Sequence, residues 1–194
     1  MKNLFVLYIV LLFSLIACNN EVEDEVLTPS INQPINFIDL FQDSTLLDTI
    51  KLFTAVKEVG ASGGILQLEE QIEGGPFGSI SISATLEIEP GTIPANETFM
   101  CSLTVDNVKA SIQISPIEKH FAHPFKLNLK YTGVDLQKVN ANILDFLCLN
   151  GYPVVYNCLS ADFSTGTLEA KDVVVPCFSL LENFVTLGFV GEFD

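Results

Sequence analysis

The side chains with the most chemical latitude in this chain are four cysteines, Cys101, Cys148, Cys158 and Cys177. In an oxidising compartment they would close two disulfides, and four thiols allow three pairings. Cys148 and Cys158 flank an Asn150-Gly151 turn signal, which points to a cross-hairpin bridge and leaves Cys101 for Cys177. The alternative is four reduced thiols packed as small apolar groups. Two histidines, His120 and His123, could serve as bases or metal ligands. They stand three residues apart where a strand begins, so alternation puts them on opposite faces, which suits no shared metal site. A Ser–His–acid hydrolase would need one of them beside a serine and a carboxylate. No Gly-x-Ser-x-Gly elbow, phosphate loop or His-Glu-x-x-His accompanies them. Glu69, Glu70 and Glu73 cluster beside Gly74-Gly75, where carboxylates could take calcium. The regular Asp/Asn spacing of calcium loops is missing, so a solvated loop is the preferred reading. No metal and no cofactor is expected.

Contact chemistry is equally sparse. The chain has no Trp, the usual platform for stacking sugars, and Phe outnumbers Tyr by 15 to 4. Tyr152 and Tyr156 share one face of the hairpin between Cys148 and Cys158, and they are the candidate contact surface. Cross-strand packing is the competing use of such a pair. Net charge is −15, and all nine basic residues are Lys. Without guanidinium forks, and with that charge, nucleic-acid binding is not expected. Attraction to anionic lipid headgroups is not expected either.

The amino terminus has its own chemistry. Residues 1–17 carry one charge, Lys2, followed by an apolar run from Leu4 to Ala17. The run is short for a spanning helix and suits the core of a signal peptide. It ends Leu15-Ile16-Ala17-Cys18, which resembles the lipobox of bacterial lipoproteins. The resemblance implies cleavage before Cys18 and acylation of its thiol, and two or three acyl chains anchor stably. Asn19-Asn20-Glu21-Val22-Glu23-Asp24-Glu25 follows, too acidic to pack. Acids directly after the lipid-bearing cysteine resemble the export signal of Bacteroidota surface lipoproteins. That implies an outer-membrane anchor and exposure at the cell surface.

These elements must be positioned by the rest of the chain. Residues 18–50 read as tether, with spacing from Asn36 to Phe53 that permits a short helix capped by Asp43 or Ser44. From about residue 52 the period becomes two. Ile80, Ile82, Ala84, Leu86 and Ile88 alternate with Ser81, Ser83, Thr85 and Glu87. The same alternation runs through Phe99–Val105, Val108–Ile114 and Phe125–Tyr131. Turn signals such as Gly74-Gly75-Pro76, Pro90-Gly91, Asp106-Asn107 and Thr165-Gly166 separate the runs. Many short strands with one apolar face predict an all-β antiparallel sandwich over 51–194. Pro124 cannot donate to a ladder, so the strand it opens is expected at an edge. The apolar tail Phe184–Val190 is expected to be a terminal core strand.

Residues 59–179 resemble the ZU-five domain, the sandwich shared by ankyrins, netrin receptors and zonula-occludens proteins. The resemblance is carried by Gly63-Gly64-Ile65-Leu66, Leu86-Glu87-Ile88-Glu89-Pro90-Gly91-Thr92-Ile93-Pro94, Ile114-Ser115-Pro116, Phe121-Ala122-His123-Pro124-Phe125-Lys126-Leu127, Thr165-Gly166-Thr167-Leu168 and Pro176-Cys177-Phe178-Ser179. Some members cleave themselves before the serine of a closing His-Phe-Ser. Phe178 and Ser179 match, but Cys177 stands in place of the histidine. A thiol is a poor base for that step, so no self-cleavage is expected. The expected function is a non-enzymatic, membrane-anchored interaction or structural module whose partner is a surface protein or a glycan. The alternatives are a substrate-binding accessory of an outer-membrane uptake system and a hydrolase.

Overall fold

The computed structural model describes residues 36–41, 50–95, 97–116, 121–150, 152–156, 159–175 and 184–191. The signal-like segment, Cys18 and the acidic run lie outside the described residues, as do Cys158, Cys177, Phe178, Ser179 and His120. Among the described residues no helix is long and apolar enough to cross a membrane.

The described part is an all-β sandwich of two antiparallel sheets. Its strands are β1 (Leu52–Val59), β2 (Gly64–Glu73), β3 (Ser79–Ile88), β4 (Phe99–Asp106), β5 (Ser111–Ser115), β6 (Phe125–Thr132), β7 (Asp145–Asn150), β8 (Tyr152–Tyr156), β9 (Leu159–Asp162), β10 (Thr167–Val175) and β11 (Val185–Val190). One sheet has the order β1-β4-β5-β11-β7-β8, the other β2-β3-β6-β10-β9. The alternation seen in the sequence is the reason. Ile80, Ile82, Ala84, Leu86 and Ile88 of β3 are buried together with Phe125, Leu127, Leu129 and Tyr131 of β6. Facing them are Cys101, Leu103 and Val105 of β4, Ile112 and Ile114 of β5, and Val185, Leu187 and Phe189 of β11. Burying such side chains contributes roughly 1.5–3 kcal/mol each before the entropy of ordering is counted.

Tyr131 ties the two sheets together. It is wholly buried, and its hydroxyl donates to the Ser111 carbonyl on β5 at 2.8 Å. Its ring meets Phe189 of β11 edge-on, with centroids 6.0 Å apart. Burial pushes the phenol pKa well above the usual tyrosine value, and the Asp106 carboxylate adds to the shift.

Two expectations change. The tether does not extend to residue 50, because Ile38 and Leu40 are wholly buried and Phe41 nearly so. Residues 36–41 lie as an extended strap where β5 and β11 diverge. Ile38 N–H donates to Phe189 O at 2.8 Å, and Ala110 N–H donates to Ile38 O at 2.8 Å. Leu40 N–H donates to Val108 O at 2.8 Å, and Lys109 pairs with Asp39. Apolar residues at every second position fill a gap between strands. Gly188 permits this approach, since a Cβ there would come within 2.7 Å of the Phe37 ring. The Asp43 and Ser44 caps fall outside the described residues.

The second change concerns β6, which is the central strand of its sheet and not an edge. Pro124 sits one residue before Phe125, where the ladder has not begun, so its missing N–H leaves no bond unmade. The tail does form a core strand: β11 lies between β5 and β7.

Candidate contact surface

Residues of one strand that point away from the core form a second, outward row. On the five-stranded sheet the register aligns these rows across strands. Gln67 stands opposite Thr85, and Thr85 opposite Asn128. Glu69 stands opposite Ser83, Ser83 opposite Lys130, Lys130 opposite Glu169, and Glu169 opposite Ser160. Gln71, Ser81 and Thr132 form a further row. These three rows are therefore hydroxyls, amides and paired charges rather than apolar groups. Lys171 Nζ lies 3.1 Å from Glu169 Oε2.

One irregularity shapes this face. The register of β10 against β6 shifts between Ala170 and Val173, leaving Lys171 and Asp172 both exposed. This is a β-bulge, which adds a residue to one strand and interrupts the ladder. Asp172 has φ 53°, in the left-handed region. Its N–H donates to Asn128 Oδ1 at 2.9 Å, so a side chain replaces the missing ladder acceptor. A depression of about 140 Å³ opens beside the bulge, lined by Ser83, Thr85, Asn128, Lys130, Glu169 and Lys171 among others. Small-molecule pockets run to roughly 300 Å³ and above, so this suits a surface contact better than an enclosed ligand. A broader, more open dip borders it, formed by Glu69, Glu70, Gln71, Ser81, Ile82 and Ser83.

No known protein family, characterised protein or solved structure matches this chain.

The side chains singled out from sequence are scattered. Cys101 is a buried, unbridged thiol on β4, and burial pushes its pKa up to about 11. Its expected partner, Cys177, lies outside the described residues; Cys101 packs as a small apolar group in the core. Cys148 is buried on β7, and the hairpin register sets Val154, not Cys158, opposite it. Cys158, its expected cross-hairpin partner, lies outside the described residues. Tyr152 and Tyr156 stand opposite Asn150 and Phe146 on β8.

Glu69, Glu70 and Glu73 are not on a loop but within β2. Glu69 and Glu73 share a face and Glu70 takes the other, which separates the carboxylates. Among the described residues no group of three His, Cys, Asp or Glu is placed to hold a metal ion. His123 is exposed, and its charge is felt by Glu89. Glu89 is held below the usual carboxylate range chiefly by Lys126, whose Nζ lies 2.5 Å from Oε1.

Sequence reasoning missed the bulge. Its signal was present: Leu168 and Ala170 keep one phase, Val173 and Val175 the other. A slip of one residue inside an otherwise regular run marks an inserted residue.

Proposed function

We propose that this chain is a non-catalytic interaction module, held to a membrane by acylated Cys18 and presented at the cell surface. The observation that carries the contact role is the polar face around the β10 bulge. Its hydroxyls, amide and charges are gathered by three strands, β3, β6 and β10, and its depression is shallow. Polar groups at such a site keep their water until a partner offers equivalent hydrogen bonds. The Leu15-Ile16-Ala17-Cys18 sequence supports the anchor. The ZU-five resemblance supports a binding role without chemistry, and Cys177 in the place of a histidine argues against self-cleavage.

A second reading shares the same observation. Hydroxyl, amide and ammonium groups suit a glycan as well as a protein, so the chain would serve as a substrate-binding accessory of an uptake system. A hydrolase draws no support from the described residues.

The test uses the mature acylated chain as bait on intact native membranes, beside a Ser83→Lys/Thr85→Lys variant that fills the depression. The partner should be captured by the parent and lost by the variant at unchanged melting temperature. Prior periodate oxidation of the membranes should abolish capture if the partner is a glycan and spare it if it is a protein. Equal capture by parent and variant would remove this face from the function. An unmodified Cys18 thiol in the mature protein from its own host would remove the anchor.

A further inference from the structure

The two ends of the sandwich differ, and the chain enters at one of them. Asn36 immediately precedes the Phe37–Val190 bridge, so the preceding residues leave from where β11 finishes and β7 begins. The same end holds the β2–β3 and β9–β10 turns, the β4–β5 turn and the loop after β6. Tyr131 near the end of β6 reaches Ser111 at the start of β5, and a Cβ on Gly74 would lie 3.0 Å from the Phe41 ring.

Five large apolar side chains stand in water at this end: Ile50 at 71% exposure, Leu52 at 69%, Phe77 at 52%, Ile143 at 41% and Phe163 at 40%. They come from four separate stretches of chain. The other large exposed apolar residues, Val56, Ile65, Met100 and Val174, lie along strands toward the middle or the far end. The aromatic tips are held in place. A Cβ on Gly166 would fall 2.9 Å from the Phe77 ring and 2.1 Å from the Val134 carbonyl oxygen. Phe163 sits in a turn whose Asp162 carboxylate accepts from Ser164 N–H at 2.9 Å and from Thr165 Oγ1 at 3.0 Å. Those bonds hold the Asp162 pKa below its usual range, with the Ser164 hydroxyl first among the causes. Its charge is met within its own turn.

We propose that this end rests on the lipid surface, with Phe77 and Phe163 seated among the headgroups and first acyl carbons. The inference rests on the Cys18 anchor of the preceding section. Residues 18–35 form the only connection between that anchor and this end. At roughly 3.3–3.6 Å per residue the covalent length of such a segment is at most about 60–65 Å, so the apolar tips stay within that reach of the bilayer. With a net charge of −15 the surface engaged is zwitterionic rather than anionic.

The chain lacks Trp, so Phe77→Trp, Phe163→Trp and Val174→Trp each provide a single reporter. Each is made in the full mature acylated chain and reconstituted in phosphatidylcholine vesicles with brominated acyl chains. Emission at 77 and 163 should shift to the blue and be quenched more strongly than at 174. Equal quenching at all three positions overturns the proposal while leaving the anchor intact. A response at 77 in native membranes but not in pure lipid also overturns it, by assigning this end to a protein. If Cys18 proves unacylated, the same comparison is made with the chain held to vesicles by an amino-terminal histidine tag on a nickel-chelating lipid. The contrast between 77 and 174 still decides it there.

Discussion

The strap at residues 36–41 and the bulge at Lys171–Asp172 both mark places where a regular ladder is interrupted, and they are completed in opposite ways. Where β5 and β11 diverge, the strap fills the gap with Ile38 and Leu40 and meets the loose backbone groups with its own. Beside β10 the gap stays open, its spare N–H taken by Asn128 and its rim made of Thr85, Lys130 and Lys171. An apolar filler gains free energy by leaving water, so the first interruption belongs to stability. Polar groups on an open rim gain little from folding and keep their capacity for a partner, so the second belongs to recognition. Substitutions should divide along that line.

The largest effect is expected in the strap. Ile38→Ala should cost about 2–5 kcal/mol, the range for deleting a buried branched side chain. A denaturant midpoint measured at constant slope would show it, with capture of the surface partner unchanged once the chain is folded. A loss no greater than that of an exposed substitution would mean that the strap merely lies on the domain. Next comes Tyr131→Phe, which removes the bond to the Ser111 carbonyl and should cost about 1–2 kcal/mol. This region also sets the response to alkali. Burial raises the Cys101 pKa from 9.0 to about 11, and raises that of Tyr131 as well. The folded chain therefore holds both protons more tightly than the unfolded chain does. Their contribution to stability is complete below about pH 9 and declines as pH rises toward 11. Cys101→Ala should flatten the first part of that decline in melts taken at several pH values; an unaltered slope would place its origin elsewhere.

Most of the sandwich was legible because period-two alternation is a direct consequence of one buried face. Ile80 through Ile88 and Phe125 through Tyr131 could be placed by parity alone. What could not be read was which strands become neighbours. Pro124 suggested an edge, yet β6 is central, because a proline one residue outside a strand imposes nothing on the ladder. Ile38 and Leu40 read as part of the tether because a short apolar pair carries no period of its own. Their place depends on a gap between β5 and β11, strands remote in sequence. Hairpin register was not legible for a related reason: spacing about a turn does not fix it, and Cys148 came to stand opposite Val154. The contact face was half legible. Ser81, Ser83 and Thr85 were expected to point outward, but the depression depends on the phase slip in β10.

The smallest expected effect tests the recognition half of the comparison most sharply. Asp172 occupies the left-handed region at φ 53°, where a residue with a Cβ is disfavoured by roughly 1–2 kcal/mol and Asp by less. Glycine would relieve that strain but would enlarge the freedom of the unfolded chain by about 0.5–1 kcal/mol. The two terms oppose, so Asp172→Gly should leave stability within about 1 kcal/mol of the parent. Asn128→Ala removes only an exposed acceptor and should cost about as little, near 0.5–1 kcal/mol. Both nevertheless alter the rim of the depression, one by loosening the bulge and the other by deleting a lining amide. Partner capture should therefore weaken in both variants while their melting curves nearly overlay that of the parent. If capture holds while the bulge is loosened, the open gap in β10 is a tolerated irregularity and recognition lies elsewhere on the sandwich.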